Sequence, residues 1–530
     1  MNPSGPCRFG DPQPPSGARR RLLRIAVAGG PVVVAASLAG FPLLRLGAQT
    51  LAGRDPFTLG IASGCPTAQS VVLWTRLAPD PLSPDGGMGT AEVDVLWELA
   101  QDPGFQRMVR SGTATARADD AHSLHVEVNG LQAACDYWYR FSAAGARSAT
   151  GRTRTAPAPG DARAVRVAFC ACQQYEQGYY IAYRDMAQQS PDLVLHLGDY
   201  IYESSWGRAH VRHHVGGIPT TLPAYRARYA LYKGDADLQA AHAASPWLVT
   251  WDDHEVANDY TNDISPLLTD PAQFLAMRAA AYRAWWEHMP VPLHMRPVGA
   301  QARIHGRWRF GDMLDLVMLD ARQHRDHHVC LFGRSASPPV DCADRHDPAR
   351  SMLGAEQEAW FSREMARPAP HWTVVAQTTL MAPVDRARDG EPSGYWMDGW
   401  DGYAATRDRL LGALQQRRPG SALVLSGDVH AFWAADLSRR PGERPMATEF
   451  VGGAITSEGP SAATVKRQMA RNPHLRYGRG DRQGYGLVTL APDNAQVSFR
   501  AASTVKSPTA SVDTLARFVV EAGRAGVVQG

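Results

Sequence analysis

The sequence predicts a large α/β domain preceded by a small β-sandwich, and three observations support this prediction. A chain of 530 residues with 44% apolar and 20% charged residues is long enough to form two or more buried cores. Residues 53–157 alternate apolar and polar residues in short runs, as half-buried strands do. Residues 163–515 instead contain short apolar runs separated by helical stretches, which is typical of an α/β domain.

Residues 1–50 have the features of a twin-arginine export signal. Arg19, Arg20 and Arg21 precede an apolar run that ends near Leu44, and small residues suited to cleavage follow it. The alternative is a single membrane anchor, because the run approaches the length that spans a bilayer. Glycines, a proline and many alanines make the run only mildly hydrophobic, which favours a cleaved signal and no stable membrane anchor. The protein would then be periplasmic or secreted, with the twin-arginine translocase as a partner that carries it already folded and loaded with metal.

The first domain consists of predicted strands. The segments QSVVLWTRL, AEVDVLWEL, SLHVEVNGL and CDYWYRFSA alternate apolar and polar residues, with Gly, Pro and Asp clusters between them. Four or more such strands at short intervals predict a sandwich of the fibronectin or immunoglobulin kind. The Pro- and Gly-rich stretch 151–162 is predicted to be a linker.

The predicted strands of the second domain end in polar residues. Four segments begin as a buried strand and continue into polar residues, and they are AVRVAFCACQQ, DLVLHLGDY, SPWLVTWDDHE and ALVLSGDVHAF. The polar residues are cysteine and glutamine in the first segment and acids or histidine in the others. Helical stretches such as YYIAYRDMAQQ and LGAEQEAWFSREM would cover the sheet, and residues 516–530 are taken as a C-terminal tail. Ligands of such folds bind at the carboxyl ends of the strands.

Side chains that bind metals concentrate at these strand ends. A single aspartate after a strand is usually a turn or a helix cap, but here five strand ends share the feature. Carboxylates crowded at one sheet edge are costly unless a cation neutralises them, so the pattern predicts a metal site. The residues are Cys172, Asp199, Asp252, Asp253, His254, Asp320, Asp428 and His430.

The motifs that contain these residues resemble those of the PhoD-like alkaline phosphatases, which are exported metallophosphoesterases. The matching segments include ACQQYEQGYYIAYRDMAQQSPDLVLHLGDYIYE, TWDDHEVANDY, MLDARQHRD and LSGDVHAFWAADL, and they extend in order from about Asp55 to the C-terminus. The resemblance implies a metallophosphoesterase-like four-layer α/β/β/α domain and phosphate esters as substrates. It also implies Fe³⁺ and Ca²⁺ as cofactors.

The resemblance further implies roles for single residues. Asp199 corresponds to an aspartate that bridges metals, and Tyr202 and Cys172 correspond to ligands of ferric iron. Comparison with ordinary metallophosphoesterases makes Asp253 and Asp428 metal ligands, His254 a phosphate-facing catalytic group and His430 a catalytic group at the metal edge, counted also as a ligand. Asp252 and Asn258 would bind calcium, since hard cations prefer several oxygens. Arg322 follows a strand end in LDARQ and is predicted to clamp phosphate, whereas the histidines after it are read as a solvated loop.

The cysteines leave several assignments open. Cys170 precedes Cys172 by two residues and is read as a buried small hydrophobe, with iron binding by Cys170 as the alternative. Cys330 and Cys342 flank a loop and are predicted to form a disulfide, the alternative being two free thiols. A Cys65–Cys135 bridge in the first domain is a further hypothesis, and Trp396 and Trp400 would either wall the site or pack in the core.

Composition and motifs exclude other classes and leave three functions. A net charge of +3 gives no basic stripe for nucleic acid, so no nucleic-acid partner is expected, and a monomer is assumed. The sequence lacks a Gly-x-Ser-x-Gly elbow and a Gly-rich phosphate loop with lysine, which argues against a serine hydrolase and an NTPase. The favoured function is hydrolysis of phosphate mono- and diesters by a metal-activated hydroxide. The alternatives are a phospholipase D acting on lipid head groups and a non-catalytic binding module.

Overall fold

The computed structural model describes residue 51 and residues 53–266, 268–330, 341–440 and 442–530. The predicted export signal, its cleavage site and the membrane-anchor alternative concern residues 1–50 and lie outside the described residues. Among the described residues, no helix is both long enough and apolar enough to cross a membrane.

The N-terminal region folds into two facing layers of strands. Its strands are β1 (Ile61–Gly64), β2 (Ser70–Arg76), β3 (Val93–Ala100), β4 (Met108–Ala116), β5 (Ser123–Asn129), β6 (Asp136–Ala143), β7 (Ala146–Arg147) and β8 (Gly151–Arg154). One layer contains β4, β3, β6 and β7, with β8 paired to β6, and the other contains β1, β2 and β5. Alternate residues such as Leu73, Val95, Tyr137 and Phe141 fill the core between the layers, as the period-2 pattern predicts. The predicted linker therefore begins with a strand, because β8 occupies residues 151–154.

The remaining strands build two larger sheets. They are β9 (Val165–Cys170), β10 (Leu193–Leu197), β11 (Pro246–Thr250), β12 (Gly306–Phe310), β13 (Leu314–Met318), β14 (Trp372–Thr379), β15 (Ala422–Gly427), β16 (Phe432–Leu437), β17 (Ala447–Gly452), β18 (Leu475–Arg479), β19 (Gly484–Leu490), β20 (Asn494–Ala502), β21 (Val512–Glu521) and β22 (Val528–Gln529). The first sheet has the order β22-β21-β20-β19-β9-β10-β11-β1-β2-β5, and the second has the order β12-β13-β14-β15-β17-β16-β18.

The N-terminal layer and the main sheet are continuous. Strand β1 pairs in parallel with β11, with Ser63 opposite Pro246 and Gly64 opposite Trp247. Gly64 has no room for a Cβ atom, which would lie 2.2 Å from the carbonyl oxygen of Pro290. The predicted sandwich thus contributes three strands to the ten-stranded sheet.

Helices cover the outer faces of the two stacked sheets. They are α1 (Ile181–Gln189), α2 (Leu222–Lys233), α3 (Ala236–Ala244), α4 (Pro271–His288), α5 (Ala355–Met365), α6 (Ala404–Leu414) and α7 (Ala462–Arg471). In β14, Val374 faces the core between the sheets, while its neighbour Val375 packs under α5 and α6 with Trp360 and Leu410. Both faces of the strand are buried along its whole length, so Val374, Val375 and Ala376 follow one another without polar alternation. The predicted four-layer α/β/β/α arrangement is confirmed.

The C-terminal residues continue the first sheet. Strand β21 pairs with β20 from Val512 to Glu521, and its Phe518 and Val520 are buried in the core between the sheets. The boundary expected after residue 515 therefore falls inside a strand, and residues 516–521 do not form a separate tail.

The structure answers two of the cysteine questions. Cys330 and Cys342 form a disulfide, with their Cα atoms 6.5 Å apart, so that prediction is confirmed. Cys65 is a buried free thiol, so the hypothesis of a Cys65–Cys135 bridge is wrong.

Candidate metal centre

The candidate metal centre lies where four strands of the two sheets end. Parallel pairing of β9, β10 and β11 brings their carboxyl ends to one edge, and β15 of the second sheet ends nearby. Cys172, Asp199 and Asp252 each lie two residues beyond their strand, and Asp428 lies one residue beyond β15. Cys172, Asp199 and Asp428 all have positive φ, at 60°, 57° and 63°. Such backbone is unfavourable outside glycine, and its concentration here is typical of a functional site.

Asp199 is common to three groups of ligand atoms that converge. One ligand atom each from Asp199, Cys172 and His430 lies within 4.8 Å of the others. The same holds for Asp199 with Asp252 and Asp428, and for Asp199 with Asp253 and His254. Asp199 thus stands where a ligand shared by two cations would stand.

Buried carboxylate oxygens show that cations fit this cluster. Asp199 Oδ1, Asp252 Oδ2 and Asp253 Oδ1 are buried and have no hydrogen-bond partner among the described residues. Burial above all, and the neighbouring carboxylates, raise the pKa of Asp199 and Asp428. A metal ion would provide the missing partners and offset the cost of burying these charges together.

The two tyrosines of this loop have different environments. The Tyr202 hydroxyl donates to Asp199 Oδ2 at 2.9 Å and lies 3.1 Å from His430 Nε2, so it belongs to the cluster. Ser457 donates to the Tyr202 oxygen at 2.9 Å, which orients the ring. The Tyr200 hydroxyl instead lies 2.8 Å from His242 Nε2 in a packed interior.

The two neighbouring cysteines are also separated. Cys172 belongs to the cluster, and burial and the nearby Asp199 raise the pKa of its thiol. The Cys170 thiol lies in β9, where it donates to the Leu195 carbonyl at 3.6 Å and lies 3.8 Å from the Tyr183 hydroxyl. In the described part of the chain, Cys170 belongs to no group of three or more converging metal-ligating side chains.

His254 and Asn258 face the site and are held from behind by one carboxylate. His254 Nδ1 lies 2.6 Å from Glu203 Oε2, and the His254 ring packs on Tyr202 with centroids 4.1 Å apart. The Asn258 backbone N–H donates to Glu203 Oε1 at 3.2 Å. Glu203 therefore fixes two of the predicted site residues, although it was not predicted to belong to the site.

Arg322 has a different place from the one predicted. Its side chain is fully buried, and its Nε donates to Asp252 Oδ1 at 2.6 Å. Its two terminal nitrogens donate to Asp398 at 2.8 and 2.9 Å, which leaves the guanidinium enclosed by carboxylates. Arg322 therefore neutralises and orients Asp252 behind the site, and it is not placed to clamp a phosphate in the cavity.

Asp320, the other candidate at this strand end, accepts hydrogen bonds from the backbone N–H groups of Arg322 and Gln323, as an ordinary turn cap does.

A cavity of about 430 Å³ opens beside the cluster. Its polar side contains Asp253, His254, Asn258, Asp428 and His430. Apolar side chains form another part of its wall, and they are Trp206, Leu380, Val384, Trp396, Val429, Trp433 and Pro460. The remaining wall is polar, with Asp259, Glu458, Thr464 and Gln468, and Arg386 is stacked on Trp396 at 4.8 Å. Trp400 does not line this cavity, because it is fully buried and donates to Gln377 Oε1 at 3.0 Å.

Two further carboxylates organise the site and were missed in the sequence. Glu255 accepts backbone hydrogen bonds from Asp199, Tyr200 and Asp252 at 3.2, 2.5 and 2.8 Å, and so ties the loops after β10 and β11 together. Asp398 accepts from Arg322 and Arg325. Glu255 is the last residue of the WDDHE motif, so a local pattern could have indicated its role. No pattern around Asp398 indicated its contact with Arg322, which is 76 residues away.

The fold and this site define a metallophosphoesterase: two stacked sheets between helices, with aspartates, histidines and a cysteine at the carboxyl ends of the strands. Consistent with this fold, the structure resembles a purple acid phosphatase from yellow lupin seeds, with a TM-score of 0.53 and 11% identity over 88% of this chain and 74% of that chain.

The chain belongs to the PhoD-like phosphatase family. The family model for the PhoD-like phosphatase matches residues 167–499, and that for its N-terminal domain matches residues 45–157. The chain is 41% identical over 484 residues to alkaline phosphatase D of Bacillus subtilis, covering 89% of this chain and 82% of the relative. It superposes on a solved structure of PhoD with a TM-score of 0.86 and 40% identity, over 90% of this chain and 92% of that one. The protein is a phosphoric-ester hydrolase, and the clusters around Asp199 are suited to metal ions.

Proposed function

We propose that this enzyme is an exported alkaline phosphatase of the PhoD type that uses Fe³⁺ and Ca²⁺ to hydrolyse phosphate mono- and diesters. The observation that supports it most is the convergence of Cys172, Tyr202 and three further aspartates on Asp199 and the adjoining cavity. A thiolate and a phenolate suit ferric iron, while carboxylate and amide oxygens suit calcium.

The ligands divide by chemistry. Cys172, Tyr202 and Asp199 would hold the iron, with His430 at its edge, and Asp252, Asp253, Asn258 and Asp428 would supply oxygens for calcium. When bound, the ions would activate a water molecule for attack on phosphorus and neutralise charge on the phosphate oxygens.

The protein's own groups position the substrate and shape the electrostatics. His254, fixed by Glu203 at 2.6 Å, presents its other ring nitrogen toward the cavity, where it would bind a phosphate oxygen. Arg322 and Asp398 keep Asp252 in place without entering the cavity. The apolar wall around Trp396 and Trp433 would receive the organic group of the ester and exclude bulk water from it.

Assays of the metal-replete enzyme on p-nitrophenyl phosphate, bis(p-nitrophenyl) phosphate and phosphatidylcholine test this proposal. We expect turnover of the first two and no release of choline from the third. Choline release as the main activity would replace the proposal with the phospholipase D alternative. Inactivity on all three by protein with full metal content would favour the non-catalytic alternative. Tyr200→Phe serves as the matched active control, and Asp199→Ala should be inactive.

Export by the twin-arginine translocase to the periplasm or medium remains part of the proposal. It rests on the Arg19–Arg21 pattern, which lies outside the described residues.

A further inference from the structure

A second group of metal-ligating side chains lies outside the catalytic cluster and shares no residue with it. Glu176 belongs to the 3₁₀ turn Tyr175–Gln177 after β9 and is only 2% exposed. His210 and His213 are separated by two residues, as His-x-x-His, on the loop between β10 and α2. One ligand atom from each of the three lies within 4.8 Å of the others. Two imidazoles and a carboxylate are a preferred ligand set for Zn²⁺ and related divalent transition metals.

The hydrogen bond of His210 leaves one of its ring nitrogens free to bind a metal. His210 Nε2 lies 2.8 Å from the carbonyl oxygen of Trp206, and a carbonyl can only accept. Nε2 therefore carries the proton, and Nδ1 keeps an unshared lone pair. Donation of the second ring N–H to a backbone carbonyl is the usual way in which proteins orient a metal-binding histidine.

Glu176 is oriented in a comparable way. The Ser205 hydroxyl donates to its Oε2, and the His214 backbone N–H donates to its Oε1 at 2.9 Å. Burial opposes ionisation, but these hydrogen bonds and the nearby imidazoles hold the pKa of Glu176 below its ordinary value. Both oxygens are thus held in place close to the two histidines, and Oε2 also lies 3.5 Å from His214 Nδ1.

The neighbouring His214 is not available as a ligand. Its Nε2 lies 3.0 Å from the Tyr232 hydroxyl, and Arg228 donates to its Nδ1 at 3.2 Å. His213, in contrast, is exposed and contacts the His210 ring edge to face, with centroids 6.2 Å apart. No hydrogen bond of the His213 ring is found within the described ranges.

We propose that Glu176, His210 and His213 form a second metal site, which binds a divalent ion of the zinc class and holds the Trp206 loop against the catalytic cavity. Two short routes connect this site to His430. The first runs from His210 through Trp206, whose ring stacks on His430 with centroids 5.4 Å apart and planes 8° apart. The second runs from the Glu176 turn through Gln177, which donates to the Trp206 carbonyl at 2.8 Å and accepts from the Glu458 N–H at 2.6 Å. The Glu458 carbonyl in turn lies 3.1 Å from His430 Nδ1.

Zinc binding by the holoenzyme tests the site itself. Enzyme with its catalytic metals in place is dialysed against micromolar Zn²⁺ in excess Ca²⁺, and bound zinc is counted by inductively coupled plasma mass spectrometry. The parent should bind one zinc ion per chain more than His213→Ala, whose affinity should fall at least about tenfold. His213→Asp, which restores an oxygen ligand, should recover part of the binding. His213 is exposed, so these changes should leave the fold intact.

His327→Ala is the matched control, because His327 is also exposed and pairs with a single carboxylate, Asp263, at 2.7 Å. This variant should bind zinc as the parent does. Equal zinc content in the parent and in His213→Ala would overturn the proposed site. Zinc should also lower KM for p-nitrophenyl phosphate about twofold or more in the parent and in His327→Ala, but not in His213→Ala. Equal KM responses, with zinc bound only by the first two, would overturn the proposed link to Trp206.

Discussion

Tyr200 and Tyr202 lie two residues apart in one loop, but only one of them is placed to bind a metal. The positive φ of Asp199 turns the chain sharply after β10. Tyr202 therefore reaches back to Asp199 at 2.9 Å, while Tyr200 packs with Tyr229 and His242. The backbone conformation of Asp199 thus brings the Tyr202 hydroxyl back to the Asp199 carboxylate.

Tyr202→Phe should remove the phenolate band of the enzyme and lower its activity at least about tenfold. A phenolate on ferric iron gives a visible charge-transfer band that neither calcium nor zinc can produce. Absorption spectra of as-purified protein, together with p-nitrophenyl phosphate turnover, measure both effects. Tyr200→Phe should keep the band and most activity, and Cys172→Ser should shift the band while Cys170→Ser leaves it nearly unchanged. A visible spectrum unchanged by Tyr202→Phe would contradict this ligand assignment.

Asp398→Asn should destabilise the protein by about 3–5 kcal/mol, because it removes one partner of a fully buried ion-pair network. Arg322 and Arg325 would then remain buried with too little negative charge around them. Urea unfolding of the parent and the variant measures this change. Asp312→Asn removes a half-exposed pair with Arg309 and should cost no more than about 1 kcal/mol. Equal stability of the two variants would contradict the structural role given to Asp398.

At the scale of elements, the last long strand belongs to the core. Phe518 of β21 packs against Phe450, Tyr477 and Phe499, so strands from both sheets meet around it. Its alternation is weak, since several of its other residues are only half-buried. For this reason the sequence pattern predicted a C-terminal tail, whereas the structure has a strand of the first sheet there.

Deletion of residues 516–530 should prevent stable folding. The deletion removes buried Phe518 and Val520, and losing a large core side chain alone costs about 3–5 kcal/mol. That cost, together with the exposed edge of β20, approaches the whole stability of a typical domain. Deletion of residues 528–530 removes only exposed residues of β22 and should leave the melting temperature within a few degrees of the parent. Soluble yield and thermal melts distinguish the outcomes, and a stable 516–530 deletion would contradict the assignment of β21 to the core.

The elements that could be predicted are those whose signal is local. The runs ending in Cys172, Asp199, Asp253 and Asp428 predicted the strands, and the structure brings these four residues together in the candidate metal centre. Their role as metal ligands stays a prediction. The direction of the Arg322 side chain depends on Asp398 and Asp252, which are distant in sequence, so its predicted contact with phosphate did not follow from LDARQ alone. The pairing of β1 with β11 likewise depends on a parallel contact that no local pattern encodes.

For the whole molecule, we expect activity to depend on the cations that would neutralise the crowded carboxylates. Chelation of calcium by EGTA should lower turnover at least about a hundredfold, and added Ca²⁺ should restore it. The visible iron band should persist during the treatment, since the chelator is selective for the oxygen-ligated cation. Metal analysis before and after chelation is the necessary control. Full turnover by protein shown to be free of calcium would contradict the proposed use of Ca²⁺.

The folded state of the whole protein also bears on its export. The proposed metal ligands come from loops as far apart as Cys172 and Asp428, so the candidate metal centre is complete only when both sheets have assembled. A route that carries folded proteins is therefore suited to this chain, in agreement with the arginine pattern at its N-terminus.

Replacing Arg19 and Arg20 with lysine should leave active, coloured enzyme in the cytoplasm, because the charge is kept and only the arginine signature is lost. Arg24→Lys, in the same segment but outside the run of three arginines, should be exported as the parent is. Cell fractionation with phosphatase assays measures the distribution, and unchanged export of the double variant would contradict the twin-arginine route.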